Sequence, residues 1–561
     1  MRILGLSGHF HDAAAALVVD GKLVAAAQEE RFSRVKHDAS TPLRAAAYCL
    51  REGGLSAQDL DAVVWHEKPL LKLERVLFTS LGTFPRGAAA FRRAMVSMVG
   101  DKMWVRGQLA RGLAVDPSRV QFSAHHASHA AAAFGACPWD DVAVLCVDGV
   151  GEWATTSMWT AQPGKLSAVH ELHFPHSLGL LYSVFTAFLG FEVNEGEYKV
   201  MGLAAFGQPR YREALDRVFK RAPDGSFELA MEHFCFHYDP DRSWTAALEA
   251  LFGAPRTPGA PVEARHKDIA ASIQSLTEDV LLDLARDLHR RTGKHKLCLA
   301  GGVALNAVSV GRIVREGPFD DVFVMPAAGD AGSAVGAAFL AHGTCRDSLR
   351  VPGWGQGIDV DAARRFFDDG GVSYEDRGEE GIAVAVAERL AQGQVVGWMQ
   401  GRFELGPRAL GHRSILCDPR AAEAKDRLNA RIKFRESFRP FAPSVLVDFS
   451  PELFEVPAAG AWTRRFMTST VAARDARVPA ALHVDGSARV QEVHASDQPL
   501  YAALLQAVGD RTGIPCVVNT SFNLAGEPIV STPADGYATF LRSGMDALAV
   551  GPLLVSREAP P

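Results

Sequence analysis

The chain has few cysteines, and none of them stands in a metal-binding or redox pair. Its 561 residues include 8 cysteines, and these are scattered singly without a CxxC spacing. A disulfide framework and a cysteine-based structural zinc site are therefore both excluded as expectations. The pattern fits a reducing cytoplasm, which is where we expect the protein to lie.

Long apolar runs and a strong excess of one charge are also missing. The longest apolar run, residues 177–191, is too short to span a bilayer and predicts a buried helix. The N-terminus enters a strand without the charged and apolar regions of a signal peptide. A net charge of -6 provides no whole-protein field for nucleic acid or an anionic membrane. We therefore expect neither partner, and we expect any anion binding to be local. P-loop and Rossmann glycine motifs are absent as well.

One order of elements occurs twice in the N-terminal part: strand, polar loop, strand, hairpin turn, strand. The first copy has its loop at His11 and Asp12, and the second has an acidic loop at 148–152. The predicted strands are 3–6, 13–19 and 22–27, then 142–147, 154–159 and 165–172. This pattern predicts a duplicated α/β domain with the two loops facing each other across a cleft, as in actin and sugar-kinase folds. Residues 69–120 predict a basic, aliphatic helical insertion, which we interpret as a solvated cover of this domain in preference to a membrane or nucleic-acid face.

Two histidines, His125 and His129, stand four residues apart in an alanine-rich, helix-forming stretch. Such a pair shares one helix face and is close enough to hold one metal ion, although ordinary core histidines have the same spacing. Asp148 lies in the acidic loop that follows, and Asp330 lies in a similar loop much later. Imidazole and carboxylate together suit a divalent transition metal with positions open to substrate oxygens.

A glycine pair follows a predicted helix and strand in the same domain. The amphipathic helix ends before Gly293, and the strand at 296–300 runs into Gly301 and Gly302, with Asn306 next. A backbone of this kind can approach a phosphate or an adenine closely. Two glycines alone are also compatible with a simple turn.

A glycine-rich linker at 351–357 predicts the main domain boundary, between residues 1–348 and 358–561. In the second domain, residues 402–439 hold ten Lys or Arg against five acids. Several of these cations stand in loops broken by glycine or proline, which suits bidentate binding of oxyanions. Residues 421–435 also fit a solvated charged helix. A strand at 517–523 ends in hydroxyl and amide side chains that could complete a pocket.

Further motifs are spread over nearly the whole chain. They occupy residues 5–15, 29–33, 125–129, 177–179, 195–204, 301–306, 406–413, 438–443 and 519–523. Together they resemble the NodU/CmcH family of O-carbamoyltransferases, in particular its antibiotic-tailoring members. The resemblance implies an N-terminal lobe related to tRNA threonylcarbamoyl transferases and a C-terminal YrdC-like lobe. It also implies carbamoyl phosphate and ATP with Mg²⁺ as substrates, and Fe²⁺ or another divalent metal as cofactor.

The resemblance also assigns roles to individual residues. It implies that the metal ligands are His125, His129, Asp148 and Asp330. It implies that carbamoyl phosphate and ATP are held by Arg408, Arg413, Lys433, Arg439, Arg489, Thr520, Ser521 and Asn523. Gly301, Gly302, Asn306 and Lys199 would contact the nucleotide. After residues 34–37, where some relatives have another basic residue near the acceptor site, this chain has Asp38 and Ala39. The acceptor pocket therefore cannot be copied from them.

The expected mechanism has two steps. Lys433 and Arg439 would act in the formation of carbamoyl-adenylate, which would pass along an enclosed route to the metal site. There a hydroxyl of a small acceptor, such as a sugar or a polyketide, would take the carbamoyl group. His11 and Asp12 are the candidate bases, although Asp12 could merely position its loop. A homodimer is the default assembly. Two alternatives are a fused tRNA threonylcarbamoyl-type enzyme and a non-catalytic actin-class ATP-binding module.

Overall fold

A computed structural model describes residues 1–100, 102–222, 225–351, 353–433, 435–436 and 438–557; Pro352 of the predicted linker lies outside them. The first part of the chain forms β1 (Arg2–Ser7), β2 (Ala14–Val19), β3 (Lys22–Gln28), α1 (Glu30–Ser33), α2 (Leu43–Glu52), β4 (Ala62–Trp65), α3 (Pro69–Thr83), α4 (Ala88–Gly100), α5 (Val105–Leu113), β5 (Val120–Phe122) and α6 (His125–Ala136).

The second part forms β6 (Val142–Val147), β7 (Ala154–Gln162), β8 (Lys165–His173), α7 (Leu178–Phe188), α8 (Glu197–Ala204), α9 (Arg212–Val218), β9 (Phe219–Arg221), β10 (Phe227–Leu229), α10 (Ala246–Phe252), α11 (Ala264–Thr292), β11 (Lys296–Ala300), α12 (Ala307–Glu316), β12 (Asp321–Val324) and α13 (Asp330–Ala341).

The third part forms α14 (Val360–Asp369), β13 (Glu375–Asp376), α15 (Gly378–Ala391), β14 (Val396–Met399), β15 (Arg413–Cys417), α16 (Glu423–Leu428), β16 (Ala442–Leu446), α17 (Ser450–Leu453), α18 (Ala461–Arg465), β17 (Val471–Ala472), β18 (Ser487–Ala488), β19 (Gln491–Val493), α19 (Pro499–Thr512), β20 (Cys516–Ser521), α20 (Pro533–Arg542), β21 (Ala547–Val550) and β22 (Leu553–Ser556).

Two five-stranded sheets repeat one topology, as the duplicated strand pattern predicts. The first has the order β3-β2-β1-β4-β5 and the second has the order β8-β7-β6-β11-β12. In each sheet the three hairpin-connected strands are antiparallel, and the last two pairings are parallel. The strands β1, β2 and β6 are almost wholly buried and apolar, which is the pattern of strands covered on both faces.

The last helix of each repeat packs on the sheet of the other repeat. Helix α6 contacts β6 and β11, while α13 contacts β1 and β2, and the two helices contact each other along their lengths. Their approach depends on small residues: a Cβ atom at Gly336 would lie 1.7 Å from the Ser128 carbonyl oxygen, and one at Gly5 would lie 2.0 Å from the Ala334 carbonyl oxygen. Close packing of α6 and α13 brings their N-terminal ends together, and both ends carry predicted metal ligands.

The third part of the chain is built on an eight-stranded mixed sheet of order β13-β22-β21-β14-β15-β20-β16-β19. The buried Arg31 of α1 donates to the Gly406 carbonyl oxygen at 2.9 Å, and Gly406 donates its N–H to the Gln28 side chain at 3.2 Å. Arg402 reaches back to the Val24 carbonyl oxygen at 3.2 Å. These buried contacts fix the third part of the chain against the first sheet.

Several local expectations can be compared with these elements. Helix α11 ends at Gly293, whose φ of 63° is left-handed, as the sequence predicts. The insertion at 69–120 is helical over α3, α4 and α5. One expectation is wrong: residues 421–435 are not one regular helix, because α16 ends at Leu428 and residues 429–433 form a π-helical turn. None of the helices in the described ranges is long and apolar enough to cross a membrane.

The glycine at position 336 provides a test of the helix packing. We expect Gly336→Ala to destabilise the fold by roughly 1–3 kcal/mol or more, because the new methyl group displaces the main chain of α6. The matched control is Gly82→Ala, a helical glycine whose Cβ position is open within 4 Å. Thermal unfolding of both variants measures the difference; equal stability of the two would contradict the close packing.

Candidate active site

Four side chains converge at the N-terminal ends of α6 and α13. The Nε2 atoms of His125 and His129 lie 3.1 Å apart. The Asp148 carboxylate lies 3.2 Å from His125 and 3.1 Å from His129, and the Asp330 carboxylate lies at 3.6 Å and 3.4 Å from them. All four ligand atoms fall within 4.8 Å of one another, and three of the residues are buried. The structure thus brings the predicted metal ligands together.

This cluster fits a divalent metal ion. Two ligand atoms that are each about 2.1 Å from one ion lie roughly 3.0–3.4 Å apart at octahedral or tetrahedral angles, which is close to the separations found here. Two nitrogens and two oxygens suit iron, zinc or manganese. The two imidazole Nε2 atoms face each other at 3.1 Å, an arrangement that a shared ion explains directly. We infer a metal site from this donor set.

The carboxylates dominate the electrostatics of the cluster. Burial by itself lowers the pKa of His129, but hydrogen bonds to Asp148 and Asp330 outweigh it and raise that pKa to about 9. The pKa of His125 is raised for the same reason, in opposition to its burial. Burial would raise the pKa of Asp330, but the neighbouring histidines hold it below its usual range. The carboxylates thus favour the protonated form of His129 at neutral pH in the absence of a metal ion.

Surrounding groups hold the ligands in place. The Glu152 carboxylate accepts hydrogen bonds from the His125 main-chain N–H at 3.0 Å and from Lys68 N–H at 2.8 Å. It therefore caps α6 and ties the start of α3 to the cluster. Asp148 faces the histidines through Oδ2. Its Oδ1 accepts hydrogen bonds from Gly149 N–H at 2.8 Å and from Gly302 N–H at 3.3 Å. Asp148 and Asp330 are thus positioned by a loop and by a helix start.

The first polar loop lies beside the cluster. His11 Nδ1 and an Asp12 oxygen are 3.0 Å apart, and the other Asp12 oxygen lies 2.9 Å from His37 Nδ1. Burial lowers the pKa of His11, yet the charge of Asp330 and the contact with Asp12 raise it to about 9. Four non-glycine residues of this region have a positive φ, which side chains other than glycine's disfavour: His9, Asp12, Arg34 and His37. Such strain concentrates at functional sites.

A cavity of about 540 Å³ opens between this loop and the helical insertion. Its polar lining comes from the segment at 40–41 and, on the insertion, from Ser97, Gln108 and Arg111. His9 also lines it, and its ring lies 4.9 Å from Trp65, which precedes His66. The His66 ring is 5.2 Å from that of His125. The cavity is thus separated from the metal cluster by two aromatic side chains.

A second cluster consists of cations in the third part of the chain: Arg408, Lys433, Arg435, Arg439 and Arg489. Burial and the charge of Arg489 hold the pKa of Arg408 well below its usual range. Burial and Arg439 lower the pKa of Arg489 to about 10. The pKa of Arg435 is lowered by burial and Arg439, and that of Lys433 by burial and Arg435. Like charges are therefore crowded in a low-dielectric pocket, where an anion would relieve their repulsion.

Few carboxylates compensate this crowding. Within the described residues, Arg439 is the member of the cluster that forms an ion pair, with Glu436 at 3.7 Å. Lys199 shares that carboxylate at 3.0 Å, so the predicted nucleotide contact of Lys199 competes with an existing partner. Arg439 also stacks over Tyr198 at 4.6 Å.

Hydroxyl and amide groups hold Lys433 in place. Its Nζ donates to the Ser521 and Asn523 carbonyl oxygens at 2.8 and 2.9 Å and to the Asn523 side-chain oxygen at 2.8 Å. Thr520 is half-buried and lies one residue before Ser521 on β20. Ser521 and Asn523 therefore position Lys433, and the predicted effect of Asn523 on ligand binding would come from holding this lysine in place.

Two of the predicted binding residues, Arg413 and Asn306, already have several protein partners, and their ligand contacts stay predictions. The Arg413 guanidinium is fully buried and donates to five main-chain carbonyl oxygens, including those of Gln400 at 2.9 Å and Gln356 at 3.1 Å. Most of its N–H groups are therefore engaged by the main chain, which fixes the position of the guanidinium. The Asn306 side chain caps α12 by accepting from Ser309 N–H, and it exchanges hydrogen bonds with the Gln274 side chain. Both its oxygen and its nitrogen therefore already have protein partners.

The glycine segment connects the two clusters. Gly301 has a φ of 86°, and a Cβ there would lie 2.3 Å from the Val147 carbonyl oxygen, so this position requires glycine. Gly302 N–H faces Asp148 at 3.3 Å. At the other end of the segment, Arg408 donates to the Leu305 carbonyl oxygen at 3.1 Å. Residues 301–305 thus touch the metal cluster at one end and the cationic cluster at the other.

Sequence reasoning missed three residues of these sites. Arg435 was counted among the basic residues without a role, because its position in the pocket depends on the π-helical turn before it. His37 contacts Asp12 only through the fold. Glu152 was visible in the acidic loop, but its capping of α6 was not, since a cap to a distant helix has no local sequence signal.

Comparisons with known proteins find similarity to carbamoyltransferases over most of the chain. Residues 2–339 match the family model described as carbamoyltransferase N-terminus, and residues 387–557 match carbamoyltransferase C-terminus. A protein of Synechocystis sp. that carries only the name "uncharacterized" is 44% identical over 599 residues, which covers 100% of this chain and 97% of that protein. Nodulation protein NolNO of Sinorhizobium fredii is 37% identical over 564 residues, which covers 98% of this chain and 79% of that protein.

A solved structure, component A of the (R)-2-hydroxyglutaryl-CoA dehydratase of Acidaminococcus fermentans, aligns with 61% of this chain and 97% of its own. The identity is 15% and the TM-score is 0.34. A likeness at this level supports no argument about fold or function, so the assignment to the actin class stays a proposal.

The pKa values predict how metal binding depends on pH. His129 has a pKa of about 9 in the metal-free protein, so a proton must leave before its nitrogen binds a cation. We expect the apparent affinity for a divalent ion to rise with pH up to about 9, by up to about tenfold per pH unit for each displaced proton. Titration calorimetry of the metal-free protein measures this.

His129→Ala should abolish that binding, and the exposed His173→Ala is the matched control. An affinity that is independent of pH below 9, or binding that survives in His129→Ala, would contradict the assignment of the cluster.

Proposed function

The chain belongs to the carbamoyltransferase family and is a carbamoyltransferase; from this premise we propose that it couples two half-reactions. In the first, carbamoyl phosphate and ATP, with Mg²⁺, form carbamoyl-adenylate at the cationic cluster. In the second, the carbamoyl group moves to a hydroxyl of a small acceptor beside the His/Asp cluster. Membership in the family excludes the non-catalytic alternative.

The observation that carries this proposal is the presence of two chemically different clusters in one chain. Five crowded cations with one paired carboxylate suit the phosphates of ATP and carbamoyl phosphate. Two histidines and two aspartates suit a divalent metal and oxygen ligands. Residues 301–305 contact both clusters, so they support a route for an intermediate between them.

The first half-reaction consumes carbamoyl phosphate, ATP and one water and releases phosphate and pyrophosphate. Water cleaves the bond between the carbamoyl group and the phosphate, which releases phosphate and leaves carbamate. A carbamate oxygen then forms a bond to the α-phosphorus of ATP, and the bond from that phosphorus to pyrophosphate breaks. Carbamoyl phosphate, carbamate and ATP are all anions, so the main barrier that the protein can lower is electrostatic. Lys433 and Arg439 would neutralise the charge that develops on pyrophosphate, with Arg408, Arg435 and Arg489 as further donors.

In the second half-reaction the acceptor hydroxyl attacks the carbamoyl carbon and AMP leaves. We assign the body of the acceptor to the 540 Å³ cavity, and its reacting hydroxyl would extend from there past the loop of His11 toward the His/Asp cluster. Asp12 contacts His11 Nδ1, and His37 holds Asp12 from its other side. In its neutral form, which a pKa of about 9 makes the minor form at neutral pH, His11 would offer Nε2 to the hydroxyl proton. Enclosure of the site would protect the intermediate from water.

His125, His129, Asp148 and Asp330 would hold the metal ion, Fe²⁺ or another divalent ion. When bound, the ion supplies Lewis acidity toward an oxygen of the substrate. The sugar or polyketide nature of the acceptor, the YrdC-like character of the third part and the actin-like character of the first two belong to the same proposal. So do the domains at 1–348 and 358–561.

Two variants separate the half-reactions. We expect Arg439→Ala to lower carbamoyl-phosphate-dependent pyrophosphate release from ATP by about a hundredfold or more, because a cation facing the developing charge is lost. His125→Ala should keep this release and lose transfer to the acceptor. Release of pyrophosphate and formation of carbamoylated product are measured separately.

Arg420→Ala is the matched control, since Arg420 pairs with Asp418 at 2.7 Å instead of with the cluster. It should retain both activities. Normal pyrophosphate release in Arg439→Ala would overturn the phosphate pocket, and equal loss of both half-reactions in His125→Ala would overturn the division of labour.

A further inference from the structure

Exposed apolar side chains are concentrated on the helical insertion. Within the described ranges, 20 large hydrophobic residues are exposed, and nine of them fall between positions 70 and 104. The most exposed are Leu81 and Phe84 at 75% each and Val96 at 71%. This short segment thus holds almost half of the exposed large apolar side chains among the described residues, more than scattered surface residues would give.

On α3 these side chains form one stripe. Leu70, Leu77 and Leu81 are separated by seven and four residues, and Leu71 and Phe78 by seven, so all five lie on one side of the helix. The side that contacts the protein carries partly buried residues instead. Helix α3 is therefore amphipathic with its apolar stripe turned outward, and water is a poor partner for that stripe.

The charge of the same segment indicates what covers it. Residues 69–120 contain nine Lys or Arg and three Asp or Glu, a net charge of +6, in a chain whose total is -6. Arg92, Arg106 and Arg111 are exposed. Two copies of this face would meet positive against positive, which disfavours self-association through it. Nucleic acid would satisfy the charge but not the apolar stripe. An anionic lipid surface satisfies both.

We propose that the helical insertion, residues 69–120, docks on the surface of an anionic lipid bilayer. The apolar stripe of α3, with Val96 and Trp104, enters the boundary of headgroups and acyl chains, and the arginines face the lipid phosphates. This revises the expectation that the protein has no membrane partner, and it is independent of the proposed reaction. Because Ser97, Gln108 and Arg111 of the same insertion line the 540 Å³ cavity, docking would bring that cavity close to the bilayer.

Co-sedimentation with lipid vesicles tests the proposal on the full chain. We expect binding to vesicles of phosphatidylcholine and phosphatidylglycerol, weaker binding as salt is raised, and little binding to phosphatidylcholine alone. Leu81→Glu should weaken the binding by about tenfold or more, because an apolar side chain no longer enters the lipid. Arg92→Glu should weaken it and reduce its salt dependence.

The matched control is Leu541→Glu, which places the same new charge at a residue that is 54% exposed outside the insertion. It should bind vesicles as the unaltered chain does. Equal binding of Leu81→Glu and Leu541→Glu would overturn the proposal. So would binding to transfer RNA without binding to vesicles, or a dimer in solution that Leu81→Glu dissociates. Carbamoyl transfer is assayed in parallel without lipid, so failure of docking and failure of the proposed reaction remain distinguishable.

Discussion

The crowding of five cations, of which one is paired with a carboxylate, is the constraint on which the rest of the third part of the chain depends. Burial lowers the pKa values of Arg408, Lys433, Arg435 and Arg489, and the charges of neighbouring cations, Arg439 among them, lower these four pKa values further. Such an arrangement costs folding free energy, and favourable contacts elsewhere in the scaffold have to offset this cost. The scaffold includes Arg413, whose guanidinium binds five carbonyl oxygens, and the oxygens of Ser521 and Asn523 around Lys433. Because the cations are fixed close together despite their mutual repulsion, binding of an anion among them would be favourable.

The exchange of α6 and α13 between the two repeats has the corresponding role in the first half of the chain. Each helix packs on the other repeat's sheet, and Gly336 lets their main chains touch. The two helix starts then meet, and each contributes to the His/Asp cluster. Residues 301–305 contact Asp148 of this cluster at one end and Arg408 of the cationic cluster at the other.

Local patterns predicted much of this arrangement from the sequence. The spacing of His125 and His129 and the acidic loops at Asp148 and Asp330 indicated a metal site, because helix geometry and strand ends determine where such residues project. The contacts that the sequence could not predict involve partners remote in sequence. Arg413 and Asn306 belong to matching motifs, yet their polar atoms are used by Gln400, Gln356 and Gln274. Arg435 gained its place only through a π-helical turn, which has no sequence signal of its own.

The central claim is that this one chain activates carbamoyl phosphate with ATP before any acceptor is present. The most direct measurement is the set of products that the unaltered protein forms from ATP, carbamoyl phosphate, Mg²⁺ and a divalent transition metal without acceptor. The account predicts that pyrophosphate, AMP and phosphate appear in equal amounts and only when carbamoyl phosphate is added, as slow hydrolysis of the adenylate frees AMP. Formation of ADP instead, or consumption of ATP that does not depend on carbamoyl phosphate, would contradict it.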